Sequence, residues 1–152
     1  MKERREFPDR PLVGVGGVVI SNGRALLIRR ASPPLKNQWS IPGGLLEVGE
    51  TLREGVRREL LEETAIEVRV LELVEVFERI RLDSSGKAKH HFVVLDYLCE
   101  ALRGEASAGS DASEVAWAAP EELDKYSLQE ATTQVILRAL EMARERKQDG
   151  RG

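Results

Sequence analysis

From His91 to Ala101 the chain is apolar at nearly every position, with only Asp96 and Glu100 breaking the run after the histidine. A strand with one wet face alternates apolar and polar residues. A near-continuous apolar run instead reads as a strand covered on both faces. Such a strand demands a layer above and a layer below. The chain has two segments able to supply them. Thr51 to Glu63 reads as a helix, with Leu52, Val56 and Leu60 at i, i+4 and i+8 and capping-box spacing between Thr51 and Glu54. Ala131 to Lys147 reads as a terminal helix. The expected architecture is therefore α/β, a mixed sheet sandwiched between helices. With 152 residues the chain makes one such domain, since two would each be left with a thin core.

The other elements fit that frame. Leu12 to Ile20 and Ala25 to Ile28 are β-rich runs joined by Ser21-Asn22-Gly23, a hairpin signal. Ala31 to Gln38 is a loop punctuated by Pro33 and Pro34. Pro42-Gly43-Gly44 reads as a turn through which no regular element continues. Ile66 to Leu82 alternates as a strand, with a phase slip at Val70-Leu71 that predicts a bulge. Asp83 to Gly86 turns the chain, and Arg103 to Ser113 is a small, polar loop. Val115 to Ala118 is a short strand, and Pro120 suits the first residue of a helical turn. The core is expected over about 12–147, with loose ends.

Charge and cysteine content narrow the function classes. The net charge of −3 offers no global attraction for a nucleic-acid backbone, although a small anion needs only a local basic pocket. The single cysteine, Cys99, excludes an internal disulfide and every multi-cysteine metal site, and it is expected in the core. Acids among the first ten residues and glycines within Leu12 to Ile20 argue against a signal peptide. Nothing approaches the roughly 20 apolar residues of a membrane span. A cytoplasmic protein with no membrane or nucleic-acid partner is expected.

Glu59, Glu62 and Glu63 stand at i, i+3 and i+4, which puts three carboxylates on one side of the helix within a turn. Like charges so placed repel, and a hard divalent cation such as Mg²⁺ or Mn²⁺ would remove the conflict. A merely solvated charged face is the alternative. The segment ahead of the helix bears on the choice. Gly43-Gly44 and Gly49-Glu50 make a loop whose backbone can approach a ligand closely.

Taken together, Gly44, five residues, Glu50, seven residues, then Arg58-Glu59-Leu60-Leu61-Glu62-Glu63-Thr64-Ala65-Ile66 closely resembles the Nudix box, G-x5-E-x7-R-E-U-x-E-E-x-G-U. Trp39-Ser40-Ile41-Pro42-Gly43-Gly44 is similar to the usual lead-in. The one departure is Ala65, where the family has glycine. A left-handed helix cap there would cost alanine about 1 kcal/mol and removes no ligand.

The resemblance implies an α/β/α sandwich and a metal-dependent hydrolase that cuts the diphosphate of a nucleoside diphosphate derivative. It implies Glu59, Glu62 and Glu63 as ligands for Mg²⁺ or Mn²⁺, with the Gly43 carbonyl as a further ligand. Glu50 and Arg58 would pair and brace the loop against the helix. A later glutamate would act as general base, Glu114 being favoured and Glu105 its rival. Arg29, Ser40, Gly43 and Gly44 would border the substrate. Arg29 is expected to face the Pro-Gly-Gly loop, with an exposed strand-end arginine as the alternative. Trp39 is expected in the core rather than stacked on a base. His90 and His91, adjacent on a strand, point to opposite faces and do not chelate one ion.

Specificity lies outside the box. ADP-ribose-cleaving relatives often carry a proline past the box and dinucleoside-polyphosphate-cleaving ones a tyrosine; neither marker is present here. The general look of His91 to Tyr97 resembles small ADP-ribose-type members, so ADP-ribose is the first expectation for the substrate. Nucleoside triphosphate sanitising is second. A non-catalytic nucleotide sensor is a third alternative, disfavoured by the intact box glutamates. An isoprenoid diphosphate isomerase would need an active-site cysteine, a role that a core Cys99 does not suit. A monomer or a homodimer is expected.

Overall fold

The computed structural model describes residues 5–33 and 35–150. The expectation of loose ends therefore falls partly on residues 1–4 and 151–152, and Pro34 of the first loop also lies outside the described residues. Strand β1 (Leu12–Ser21) turns through Asn22-Gly23 into β2 (Arg24–Arg30), followed by β3 (Trp39–Ser40) and β4 (Gly43–Leu45). Helix α1 (Leu52–Thr64) leads into the long strands β5 (Glu67–Leu82) and β6 (Ala88–Arg103). Strand β7 (Ala112–Ala118), a 3-10 turn (Pro120–Tyr126) and helix α2 (Glu130–Gln148) complete the chain.

The sheet is mixed, in the order β3-β2-β1-β6-β5, with β4 added to β1 and β7 to β2. β1 runs parallel to β6 over Leu12 to Val19, and the remaining pairings are antiparallel. A parallel pair needs a long crossover, and α1 with β5 lies within that connection. Alternation along the strands feeds two apolar clusters. Val15, Val19, Leu26 and Tyr97 point to α1, where Val56 and Leu60 are buried. Val18, Leu27 and Leu98 point the other way, to Val135, Ile136 and Ala139 of α2. Each Val, Leu or Ile side chain among them, fully buried, contributes about 1.5–3 kcal/mol from area alone.

Three expectations need adjustment. Residues 43–45 form a strand rather than a bare turn, pairing Gly43 with Gly16 and Gly44 with Val15. Glycine makes this possible, because a Cβ on Gly43 would run into the carbonyl of Val15. The apolar strand is longer than His91 to Ala101, and full burial is confined to Asp96–Cys99; its first half is only half-covered. The last strand begins at Ala112, three residues early. The bulge does fall where the phase slips, between Val70 and Glu72.

Candidate active site

Helix α1 begins with a complete capping box. The Thr51 hydroxyl accepts from the Glu54 amide at 3.1 Å, and the Glu54 carboxylate accepts from the Thr51 amide at 3.0 Å. Val56 and Leu60 then fix which side meets the sheet, and this turns Glu59 and Glu63 inward towards β4. The helix ends on Ala65 at φ 62°, ψ 15°, the left-handed cap anticipated for that position, with its amide bonded to the Leu61 carbonyl.

Glu63 is 4% exposed, and its Oε1 accepts a 2.7 Å hydrogen bond from the Gly43 amide. Burial pushes its pKa up to about 7, and the charges of Glu59 and Asp111 push the same way. The Gly43 amide and the charge of Arg30 offset only part of this. Burial also raises the pKa of Glu59, although Arg58 donates to it at 2.7 Å. The Glu59 carboxylate lies where a side chain on Gly44 would start, 2.5 Å from that Cβ position, so the loop fits the helix only with glycine there.

Arg58 sits at the centre of the carboxylates. It donates to both oxygens of Glu50, at 2.5 and 2.9 Å, to Glu59, to the carbonyl of Leu45 at 3.0 Å, and to Glu62 at 3.3 Å. Glu50 in turn accepts from the Glu47 amide at 2.9 Å. One guanidinium therefore ties loop, β4 and helix together, and its hydrogen bond holds Glu50 below the usual carboxylate range. Glu62 is the outermost of the three, about half exposed.

Glu114 lies across the β2–β7 ladder from Arg29, and the two side chains pair at 3.3 Å. Arg29 also donates to the carbonyl of Asn37 at 3.0 Å, so it is held by β7 and the first loop rather than by the Pro-Gly-Gly loop expected from the sequence. Ser40 pairs with Ile28 in the β2–β3 ladder. Trp39 meets Tyr126 edge-to-face at 5.0 Å and packs on the α2 cluster. Cys99 is buried in the α1 cluster. His90 and His91 oppose Arg81 and Ile80 on β5, and His90 stacks on Phe92. Glu105 is exposed.

The loop after β6 is hung on the end of α1, with the Ser107 and Gly109 amides donating to the carbonyls of Thr64 and Glu63. This brings Asp111 to bear on Glu63, together with Arg30. Neither residue stood out in the sequence. The only local signal was an acid within a loop otherwise rich in Gly, Ala and Ser.

A NUDIX domain family model matches residues 10–139. The chain belongs to the Nudix hydrolase family. It is 36% identical over 104 residues to an ADP-ribose pyrophosphatase of Methanocaldococcus jannaschii, covering 68% of this chain and 59% of that protein. This Nudix chain thus spans less than two thirds of that relative's length. It is also 36% identical over 128 residues to a MutT-like protein of Streptomyces ambofaciens, covering 82% of this chain and 76% of the other. The MutT NUDIX hydrolase structure from Burkholderia pseudomallei superposes with a TM-score of 0.74 at 30% identity, covering 86% of this chain and 98% of that one.

Nudix hydrolases generally use a divalent metal, and the donor chemistry here fits one. Two desolvated carboxylates, Glu59 and Glu63, share a site with one guanidinium, and hard oxygen donors suit Mg²⁺ or Mn²⁺. Among the described residues no three acidic or imidazole groups are gathered closely enough to hold an ion as they stand. The hydrogen bonds explain why. Glu63 is turned to the Gly43 amide and Glu59 to Arg58.

Proposed function

We propose that the chain hydrolyses the diphosphate linkage of a nucleoside diphosphate derivative, with ADP-ribose the first candidate. The supporting observation is the pair of desolvated carboxylates, Glu59 and Glu63, facing a two-glycine strand inside an otherwise intact Nudix box. The named activity of the Methanocaldococcus relative points to the substrate. Glu59, Glu62 and Glu63, with the Gly43 carbonyl, would hold Mg²⁺ or Mn²⁺. When bound, such an ion neutralises diphosphate charge and acidifies water.

The protein's own groups do the rest. Gly43 and Gly44 let β4 lie directly against β1 and the Glu59 carboxylate, and Arg29 and Ser40 are the side chains proposed to border the substrate. The Arg58–Glu50 pair keeps the loop in register with the helix, so the carboxylates are positioned before substrate arrives. Glu114 is the proposed general base, held by Arg29 until substrate phosphate competes for that arginine. Asp111 is its rival, from its electrostatic hold on Glu63.

A second reading, nucleoside triphosphate pyrophosphohydrolysis, is favoured by the MutT-like relative, which matches more of the chain at the same identity. A screen of nucleoside diphosphate derivatives and triphosphates with Mg²⁺, with both products identified, separates the two. AMP and ribose 5-phosphate from ADP-ribose support the first reading. A nucleoside monophosphate and pyrophosphate from a triphosphate alone support the second, and no hydrolysis of either class overturns both.

A further inference from the structure

The outer edge of the sheet is β5, whose ladder partner among the described residues is β6 alone. The two halves of that edge are treated differently. In the first half Arg53 donates to the carbonyls of Val70 and Leu71, at 2.8 and 3.2 Å, and Arg146 pairs with Glu72 at 2.7 Å. Bulges interrupt the pairing there, at Val70/Glu72 and Leu73/Glu75. Covered and bulged, this half resists another strand. From Glu75 to Arg81 the register is unbroken, and although the Phe77 ring packs on the α2 cluster, no helix side chain is hydrogen-bonded to the backbone of this stretch among the described residues. Val76 and Ile80 are 45% and 51% exposed on one face. The Val76 amide donates to the carboxylate of its neighbour Glu75 at 3.1 Å, which leaves that amide outside the ladder. By alternation the amides of Glu78 and Ile80 point outward too.

We propose that the edge Glu75–Arg81 pairs antiparallel with the same edge of a second copy of this chain, about a two-fold axis at Phe77. The charge pattern selects that register. Centred on Phe77, Glu75 of each copy faces Arg79 of the other, Phe77 faces Phe77, and no like charges oppose. Centred on Glu78 two glutamates meet, and centred on Arg79 two arginines meet. Centred on Val76, Glu75 faces Phe77 and finds no cation. The Phe77 register also sets outward-facing Val76 against outward-facing Glu78, as a hydrogen-bonded pair requires. On pairing, Glu75 exchanges its bond to the Val76 amide for Arg79 of the second copy. The amide is then free to join the new ladder. Opposite charges across a strand pair favour association and like charges oppose it.

Sedimentation equilibrium of the full chain tests this, with Glu75→Arg and Arg79→Glu, both exposed positions, checked for folding by circular dichroism. The wild type is expected to rise with concentration from 17.0 kDa towards twice that mass. Each single reversal places like charges in opposition and should weaken dimerisation at least about tenfold. An equimolar mixture of the two variants restores both ion pairs, and its affinity should return to within about threefold of wild type. A wild type that stays monomeric to about 1 mM overturns the proposal. So does a dimer indifferent to both reversals, or a mixture no tighter than its components.

Discussion

Glu63 is a carboxylate buried within reach of the charges of two other acids, with one amide to satisfy it. Glu54 lies about 180° round the same helix, at 100° per residue, and serves only the cap. Glu63→Gln is therefore expected to lower kcat by about a hundredfold or more, with Glu54→Gln near wild type, as steady-state hydrolysis rates will register. For the base, Glu114→Gln should lower kcat by about two orders of magnitude with little change in metal affinity, whereas Glu105→Gln is nearly silent. A large loss in Asp111→Asn with none in Glu114→Gln would move the role to Asp111.

Asp96 tests the cost of burial away from the glutamates. It is 3% exposed on β6, and burial pushes its pKa up to about 7 against the pull of Arg79. A carboxyl whose pKa is raised on folding stabilises most while neutral. Its contribution is full below about pH 4 and declines as pH rises to about 7, where the folded form also ionises. Denaturant unfolding at a series of pH values should show stability falling across that window by a few kcal/mol, to order of magnitude. Asp96→Asn should flatten part of the fall. Glu63 and Glu59, whose shifts have the same sign, contribute to what remains.

At the scale of the element, α1 is held at both ends by local chemistry. Ala65 occupies a left-handed cap where glycine is at ease. Ala65→Gly should keep activity and raise stability by up to about 1 kcal/mol, whereas Thr51→Ala should lower it by about 1 kcal/mol, both read from urea midpoints. These features were legible beforehand because each involves residues within four positions of one another. The strand at Gly43–Leu45 was not. Proline and glycine read locally as punctuation, and only β1, nearly thirty positions earlier, turns that stretch into a strand.

At the scale of the molecule, the site draws on elements distant along the chain: β4, α1, the β2 end, and the loop from Gly104 to Asp111 folded against the end of α1. Excess EDTA should abolish hydrolysis, and Mg²⁺ or Mn²⁺ should restore it. Full turnover in the chelator would refute the metal reading. Because the capping box and both apolar clusters need no ion, far-ultraviolet circular dichroism should be unchanged by the chelator.

The sequence by itself determined what repeats at short range. It set the helix face carrying Glu59, Glu62 and Glu63, the hairpin at Asn22-Gly23, the bulge near Val70, and membership of a family through one spaced motif. In each case the deciding forces act between residues a turn or a strand pair apart. The tertiary structure decided what depends on burial. It buried Glu63 but left Glu62 half in water, gave Glu63 the Gly43 amide, sent Arg29 to Glu114, and set Asp111 near the helix. Spacing fixes direction around a helix. Desolvation depends on what other chain arrives there, and that is fixed only when β1, β4 and the late loop close over α1.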